Sequence, residues 1–280
     1  MPSKWARGVR GAGLVAFAMV SGILSAQNPS VPTDHYGPPL TCSGVTPAHQ
    51  RASMAEAEAR AGEAQSWNGE TKTLGSDEPL ENFGVARMRL ADYADCVGDS
   101  GCYWQDLDQQ YSRAQQALSA AVKAATPGEK LAVVMDIDET ALSSYCELKR
   151  EDFGYIRSAF EHWIVSPEAS VAIPGAKRFF EQARASGVAV FFLTGRSEAQ
   201  REATERNLKA AGYEGFQALL LRTPEEKSMT AIEEKSAARK RLVEQGYTLA
   251  VSVGDQWSDL EGQPLAAASI KLPNPFYFIF

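Results

Sequence analysis

The sequence predicts an α/β fold, a parallel sheet with helices on both faces, preceded by a helical N-terminal extension. Three observations carry this. Beyond Pro127-Gly128, short apolar runs alternate with longer amphipathic segments, the pattern of strand–helix repeats. Three of these runs end in clusters of Asp, Thr and Gly, where open parallel sheets place their ligands. Upstream of residue 127, apolar residues instead recur at spacings of three and four. A chain of 280 residues, 44% of them apolar, can bury a sizeable core, which excludes a disordered or collagen-like protein. Its 28 Lys and Arg against 35 Asp and Glu leave a formal charge of −7, with no basic field for a nucleic-acid polymer. An anionic substrate therefore needs local positive groups or a metal.

Residues 1–26 read as a secretory signal peptide. Lys4, Arg7 and Arg10 form a positive start, Gly11 to Leu24 is uncharged and mostly apolar, and Leu24-Ser25-Ala26 supplies small residues for a cut. The apolar run falls short of the ~20 residues a membrane span needs, so no span is expected after cleavage. Cleavage removes three positive charges and takes the formal charge from −7 to −10. Export makes disulfides the natural reading of Cys42, Cys96, Cys102 and Cys146, which allow three pairings. The flexible Val-Gly-Asp-Ser-Gly spacer favours Cys96–Cys102, leaving Cys42 with Cys146. Zinc is disfavoured, because no C-x₂-C pair occurs and no histidine lies near two cysteines. Asn-x-Ser/Thr occurs only as Asn28-Pro29-Ser30, where proline blocks glycosylation, so a periplasmic or secreted bacterial location is expected.

Residues 27–45 carry Pro29, Pro32, Pro38 and Pro39 and read as an extended leader. Residues 46–128 read as two or three helices. Phe83, Ala86, Leu90, Tyr93 and Val97 share one stripe, and Trp104, Leu107, Tyr111, Ala114, Leu118 and Val122 another. Residues 129–280 form the α/β part. Strands are expected at Leu131–Met135, Val188–Leu193, Ala218–Leu221, Leu249–Val253 and Ala268–Leu272, with helices at Lys177–Ser186, Glu198–Ala211 and Thr230–Gln245. The stretch between Thr140 and Val190 is too long for one crossover helix, so an insert at about 141–187 should cap the site, returning near Pro174-Gly175. Its Tyr145, Phe153, Tyr155, His162 and Trp163 include candidates for stacking on a substrate ring, with packing inside the cap the plainer expectation. Gly98-Asp99-Ser100-Gly101 looks like a serine-protease string but has no evident histidine partner. The closing Phe276-Tyr277-Phe278-Ile279-Phe280 is expected to dock on the core.

The first strand runs into Asp136-Ile137-Asp138-Glu139-Thr140. Alternation along an extended chain turns Asp136 and Asp138 into one crevice and Ile137 back into protein. One acid here would serve as a helix cap; three, counting Glu139, are hard to accommodate without a cation. A second strand ends in Thr194-Gly195-Arg196, offering a hydroxyl and backbone N–H groups at an expected strand-to-helix junction. A fourth ends in Gly254-Asp255-Gln256-Trp257-Ser258-Asp259. An all-oxygen rim of this kind suits Mg²⁺ with a substrate phosphate, and argues against zinc or copper.

These three strings, in this order, resemble motifs one, two and four of the haloacid dehalogenase (HAD) superfamily. Gly254-Asp255-Gln256-Trp257-Ser258-Asp259-Leu260 and Lys271-Leu272-Pro273-Asn274-Pro275 resemble its secreted acid phosphatase branch, which includes class B-like acid phosphatases and plant vegetative storage proteins. The resemblance covers about 130–280 and implies a HAD-like Rossmannoid core. It also implies a lysine as third motif; Lys227, Lys235 and Lys240 lie nearby, and Lys235-Ser236 matches the branch pattern, with Lys227 as fallback. By that resemblance Asp136 is the nucleophile and Asp138 the general acid and base, its backbone carbonyl helping to hold Mg²⁺. Thr194, Gly195 and Lys235 bind the phosphoryl group, Asp136 and Asp255 ligate Mg²⁺, and Asp259 ligates through water or orients Lys235. The implied activity is hydrolysis of small phosphomonoesters, nucleotides among them, through an aspartyl-phosphate. A phosphotransferase using the same intermediate and a non-catalytic storage protein are the rivals, and a homo-oligomer stays open.

Overall fold

The computed structural model describes Cys42, 83–97 and 101–279. The expected signal peptide, the leader other than Cys42, residues 46–82 and the Asp99-Ser100 string lie outside the described residues. Two helices open the described chain, α1 (Phe83–Asp95) and α2 (Tyr103–Ala124). The α2 stripe expected from its spacing is buried at Trp104, Leu107, Tyr111, Ala114 and Leu118. Phe83 and Val97, at the two ends of the α1 stripe, face solvent instead. Both disulfides are present, Cys96–Cys102 closing the α1–α2 turn and Cys42–Cys146 closing a long loop. Among the described residues no helix is long and apolar enough to cross a membrane.

Five strands follow: β1 (Lys130–Met135), β2 (Ala189–Ser197), β3 (Ala218–Arg222), β4 (Tyr247–Gly254) and β5 (Ala268–Lys271). They form one all-parallel sheet in the order β3-β2-β1-β4-β5. Connecting them are α3 (Tyr145–Arg150), α4 (Arg157–Trp163), α5 (Pro174–Ala185), α6 (Arg201–Ala210) and α7 (Ala231–Glu244). Side-chain alternation divides β1 between two cores. Val133 and Met135 join a large cluster with α2 and α5, whereas Ala132 and Val134 join a smaller one with Ala238 and Leu242 of α7. Sheet order places β1 between β2 and β4, so the acids beyond its end are flanked by the ends of both neighbours.

Two expectations change. The helix expected from Lys177 starts already at Pro174, so Pro174-Gly175 is the first turn of α5, where proline costs no hydrogen bond. Gly175 is required there by packing, since a Cβ would come within 2.7 Å of the Tyr111 ring. The second change concerns Thr194-Gly195-Arg196, which lies within β2 and not at a strand-to-helix junction. The ladder to β3 shifts register after Leu193 and resumes at Ser197 with Arg222. That irregularity leaves Gly195 exposed while Thr194 and Arg196 are buried on either side.

Candidate active site

The loop after β1 is wound tightly on one carbonyl. Asp136 N continues the sheet to Val253 O at 3.0 Å, and then the N–H groups of Thr140, Ala141 and Leu142 all donate to Ile137 O. Ile137 is buried in the large cluster, so Asp136 and Asp138 face the opposite way, into the cavity. Two tyrosines brace this loop from below. Tyr111 of α2 donates to Thr140 O and Tyr213 to Ala141 O, each at 2.8 Å.

Glu139 departs from the expectation that a third acid adds to the charge of the rim. Its backbone is left-handed, φ 53°, and its side chain turns into the protein. There Ser144 N donates to it at 2.7 Å and the Tyr277 hydroxyl at 2.6 Å, with the Ser144 hydroxyl also bonded. Burial, reinforced by the charge of Asp138, pushes its carboxyl up to about 8. Glu139 is thus accommodated by hydrogen bonds, not by a cation.

Two of the other acids, Asp136 and Asp259, share one ammonium. Thr230 and Glu233 cap α7 reciprocally, and one turn on Lys235 is buried and points at the end of β1. Its Nζ donates to Asp136 Oδ1 at 2.8 Å and also to Asp259 Oδ1. Lys227, on the turn Pro224–Ser228, and Lys240 are both exposed. Burial alone would lower the Lys235 pKa; the charges of Asp136 and Asp259 overcome it and hold the ammonium above the usual lysine value. Burial likewise drives Asp136 well above the usual carboxylate range, against the pull of Lys235.

Asp259 reaches the site because the chain turns back sharply after β4. Gly254 allows the approach: a Cβ there would sit 2.2 Å from the Asp259 side chain. Asp259 Oδ2 accepts from Gln256 N at 2.8 Å, and the fully buried Arg239 donates to Asp259 O at 2.7 Å and to Pro264 O at 2.9 Å. Asp255 accepts from Thr140 Oγ1 at 3.1 Å on one oxygen, and from Gln256 Nε2 at 2.6 Å and Asn274 Nδ2 at 2.7 Å on the other. Burial and then the charge of Asp259 raise it to about 6.

Asp136, Asp255 and Asp259 each offer an oxygen within 4.8 Å of the others, a buried donor set that fits a hard divalent cation. Asp138 is not part of that set. Its carboxylate faces Arg196, which donates from Nη2 to Oδ1 at 2.6 Å and from Nε to Oδ2 at 3.1 Å. Thr194 stands beside them, its Oγ1 accepting from Arg196 N at 3.2 Å. Arg196 closes the Thr194-Gly195-Arg196 string, Thr140 closes the Asp136–Thr140 string and Asn274 lies within Lys271–Pro275, yet none of the three carried an expected role; Arg239 lies in no such string.

These groups form the floor of a cavity of about 400 Å³, lined by Asp136, Asp138, Thr194, Gly195, Lys235 and Asp255. Tyr155, Phe160 and Ile164 of the insert form one wall, and Tyr277, Phe278 and Ile279 another. Tyr145, Phe153 and Trp163 pack inside the protein, and His162 is exposed away from the cavity. The expectation that 276–280 docks on the core holds for Phe276, which lies between Tyr103 and Phe153, and for Tyr277, which packs against the same cluster; Tyr277, Phe278 and Ile279 also line the cavity, and Phe280 lies outside the described residues.

The model of the HAD superfamily, subfamily IIIB (Acid phosphatase), matches residues 55–280. Acid phosphatase 1 of Solanum lycopersicum is 36% identical over 149 residues, 52% of this chain and 58% of that protein. The stem 28 kDa glycoprotein of Glycine max is 35% identical over 151 residues, 52% of this chain and 59% of its own. Vegetative storage protein 1 of Arabidopsis thaliana is 31% identical over 150 residues, 52% and 54%. The matched region thus spans less than two thirds of these relatives' own length. The class C acid phosphatase of Bacillus anthracis shares the fold, with a TM-score of 0.54 and 24% identity over 68% of this chain and 84% of that one.

Proposed function

Because the chain belongs to the HAD superfamily, subfamily IIIB, the acid phosphatase group, we propose that it is an exported, Mg²⁺-dependent phosphomonoesterase acting through an aspartyl-phosphate on Asp136. The observation that carries this reading is the position of Asp136: a buried carboxylate at the cavity floor, held by Lys235 and clustered with Asp255 and Asp259.

In the first step an Asp136 oxygen attacks phosphorus and the ester P–O bond breaks. Asp138 gives a proton to the departing alcohol oxygen, and Arg196 keeps its carboxyl aimed at the cavity through two hydrogen bonds. In the second step water attacks the acyl phosphate, Asp138 accepts the water's proton, and Asp136 is regenerated with release of phosphate. Lys235 and Thr194 bind the phosphoryl oxygens, so the charge developing on them meets donors already in place. Asp255 and Asp136, with Asp259 nearby, would hold the Mg²⁺, which when bound neutralises phosphate charge that would otherwise repel the attacking carboxylate. Small phosphomonoesters fit a cavity of about 400 Å³ whose upper walls are aromatic and apolar, nucleotides among them. The basic start and apolar run of 1–26 support export, to a periplasm or medium where the two disulfides are stable.

The test is phosphate release from an aryl phosphate by the mature protein, with Mg²⁺ and with EDTA, from acid to neutral pH, beside Asp136→Asn. Metal-dependent activity absent from the variant supports the reading. Equal activity in the variant would sink the nucleophile assignment, and a folded but inert wild type would favour a storage role.

A further inference from the structure

We infer that segment 274–279 is a positioning element of the cation site, its backbone orienting two amide side chains that hold the Asp255 carboxylate. This rests on the reading of Asp255 as a metal ligand and adds a role for residues outside the loops that carry the acids.

Asn274 Nδ2 and Gln256 Nε2 both donate to Asp255 Oδ2, at 2.7 and 2.6 Å. An amide side chain can turn either its NH₂ or its oxygen toward a neighbour, and the remaining hydrogen bonds decide which. Here the backbone of the segment decides for both. Asn274 Oδ1 accepts the N–H of Phe276 at 2.8 Å and of Tyr277 at 3.4 Å, and Gln256 Oε1 accepts the N–H of Ile279 at 3.0 Å. With both amide oxygens committed, both NH₂ groups face the carboxylate. Thr140 Oγ1 holds the other oxygen, so Asp255 cannot swing away from the cluster. A ligand oriented in advance spares the incoming cation the cost of ordering it, and donors behind metal-binding carboxylates affect affinity for this reason.

The segment is itself well anchored. The Phe276 ring stacks on Phe153 with centroids 5.7 Å apart and meets Tyr103 edge-on at 5.1 Å, while the Tyr277 hydroxyl bonds Glu139. Packing in the aromatic core is thereby passed on to the direction of one carboxylate.

The experiment is calorimetric titration of Mg²⁺ alone, without substrate, into the full chain and four variants whose folding is checked by thermal melting. Ile279→Pro removes the N–H that orients Gln256 and should weaken Mg²⁺ binding about tenfold. Ile279→Ala keeps that N–H and should bind like the wild type. Asn274→Ala should also lose about tenfold, and Asp255→Asn should bind no measurable Mg²⁺. Wild-type affinity in Ile279→Pro and Asn274→Ala, with Asp255→Asn impaired, would overturn the inference alone. Equal losses in Ile279→Pro and Ile279→Ala would also overturn it, because the N–H would then not be the cause. Unaltered binding by Asp255→Asn would remove the metal reading and the inference with it.

Discussion

The cavity floor and the aromatic face beneath it are built on opposite principles, although they meet at the tyrosines that brace the loop after β1. The floor buries Asp136, Asp255, Asp259, Lys235 and Arg196, pairing Lys235 with Asp136 and Asp259 and Arg196 with Asp138, while Thr140, Gln256 and Asn274 hold Asp255. The face beneath packs Tyr103, Trp104, Leu107, Tyr111 and Leu118 of α2 against α5 and the sheet, where burial of apolar surface is favourable without any partner geometry. Burying charges together is at best neutral for stability, so the floor is kept for what it does, and the face supplies the stability that tolerates it. Tyr111 serves both, its ring against Phe179 and its hydroxyl on Thr140 O.

That division predicts mutations that separate activity from stability. Asp136→Asn should lower phosphate release by about 10³-fold or more, while Lys235 keeps Asp259 as partner and the melting temperature moves by no more than about 4 °C. Steady-state kinetics beside thermal melting checks this, and unfolding of the variant would break the comparison. Leu118→Ala, at a fully buried position of α2, should do the reverse. Denaturant titration should show a loss of about 2–5 kcal/mol, with kcat of the folded fraction unchanged within about twofold.

The pH dependence of the metal-free protein sharpens the contrast. Glu139 titrates near 8 folded against 4.5 as an ordinary glutamate, and Asp255 near 6 against 3.8. Between those values the folded protein holds protons that the unfolded chain has released, so stability is greatest at the acid end and falls as pH rises from about 4 to about 8. Denaturation in EDTA at stepped pH measures it; stability that rises across this window would refute the account. Added Mg²⁺ should flatten the fall, because the cation replaces the proton on Asp255. The smallest effect is expected where the regions meet. Tyr111→Phe keeps the ring and removes the bond to Thr140 O, which should cost about 1 kcal/mol and lower kcat a few-fold.

Much of this site was readable because strand geometry is local. An apolar run with period-two alternation says where β1 ends, and the same alternation says that Asp136 faces the cavity and Ile137 does not. A local reading also counted Glu139 as a third charge on the rim, because its partners, Ser144 and Tyr277, are brought to it only by folding. It misplaced Thr194-Gly195-Arg196 for a related reason: a register shift in a ladder is a property of two strands, not of one. Arg196 was in plain view beside Thr194, but its partner Asp138 lies far away in the chain.

By itself, then, the sequence determined the strand and helix periods, the acids at the strand ends and the family to which they belong. Periodicity, turn chemistry and motif spacing act over a few residues, and a linear reading can follow them. Only the tertiary structure decided that Lys235 joins Asp136 to Asp259, that Asp138 is held by Arg196, and that the closing segment both packs on the core and lines the cavity, its backbone meeting the amides on Asp255. Those outcomes depend on how a buried polar group finds its partner, and in a parallel sheet the partners come from strand ends and loops far apart in the chain.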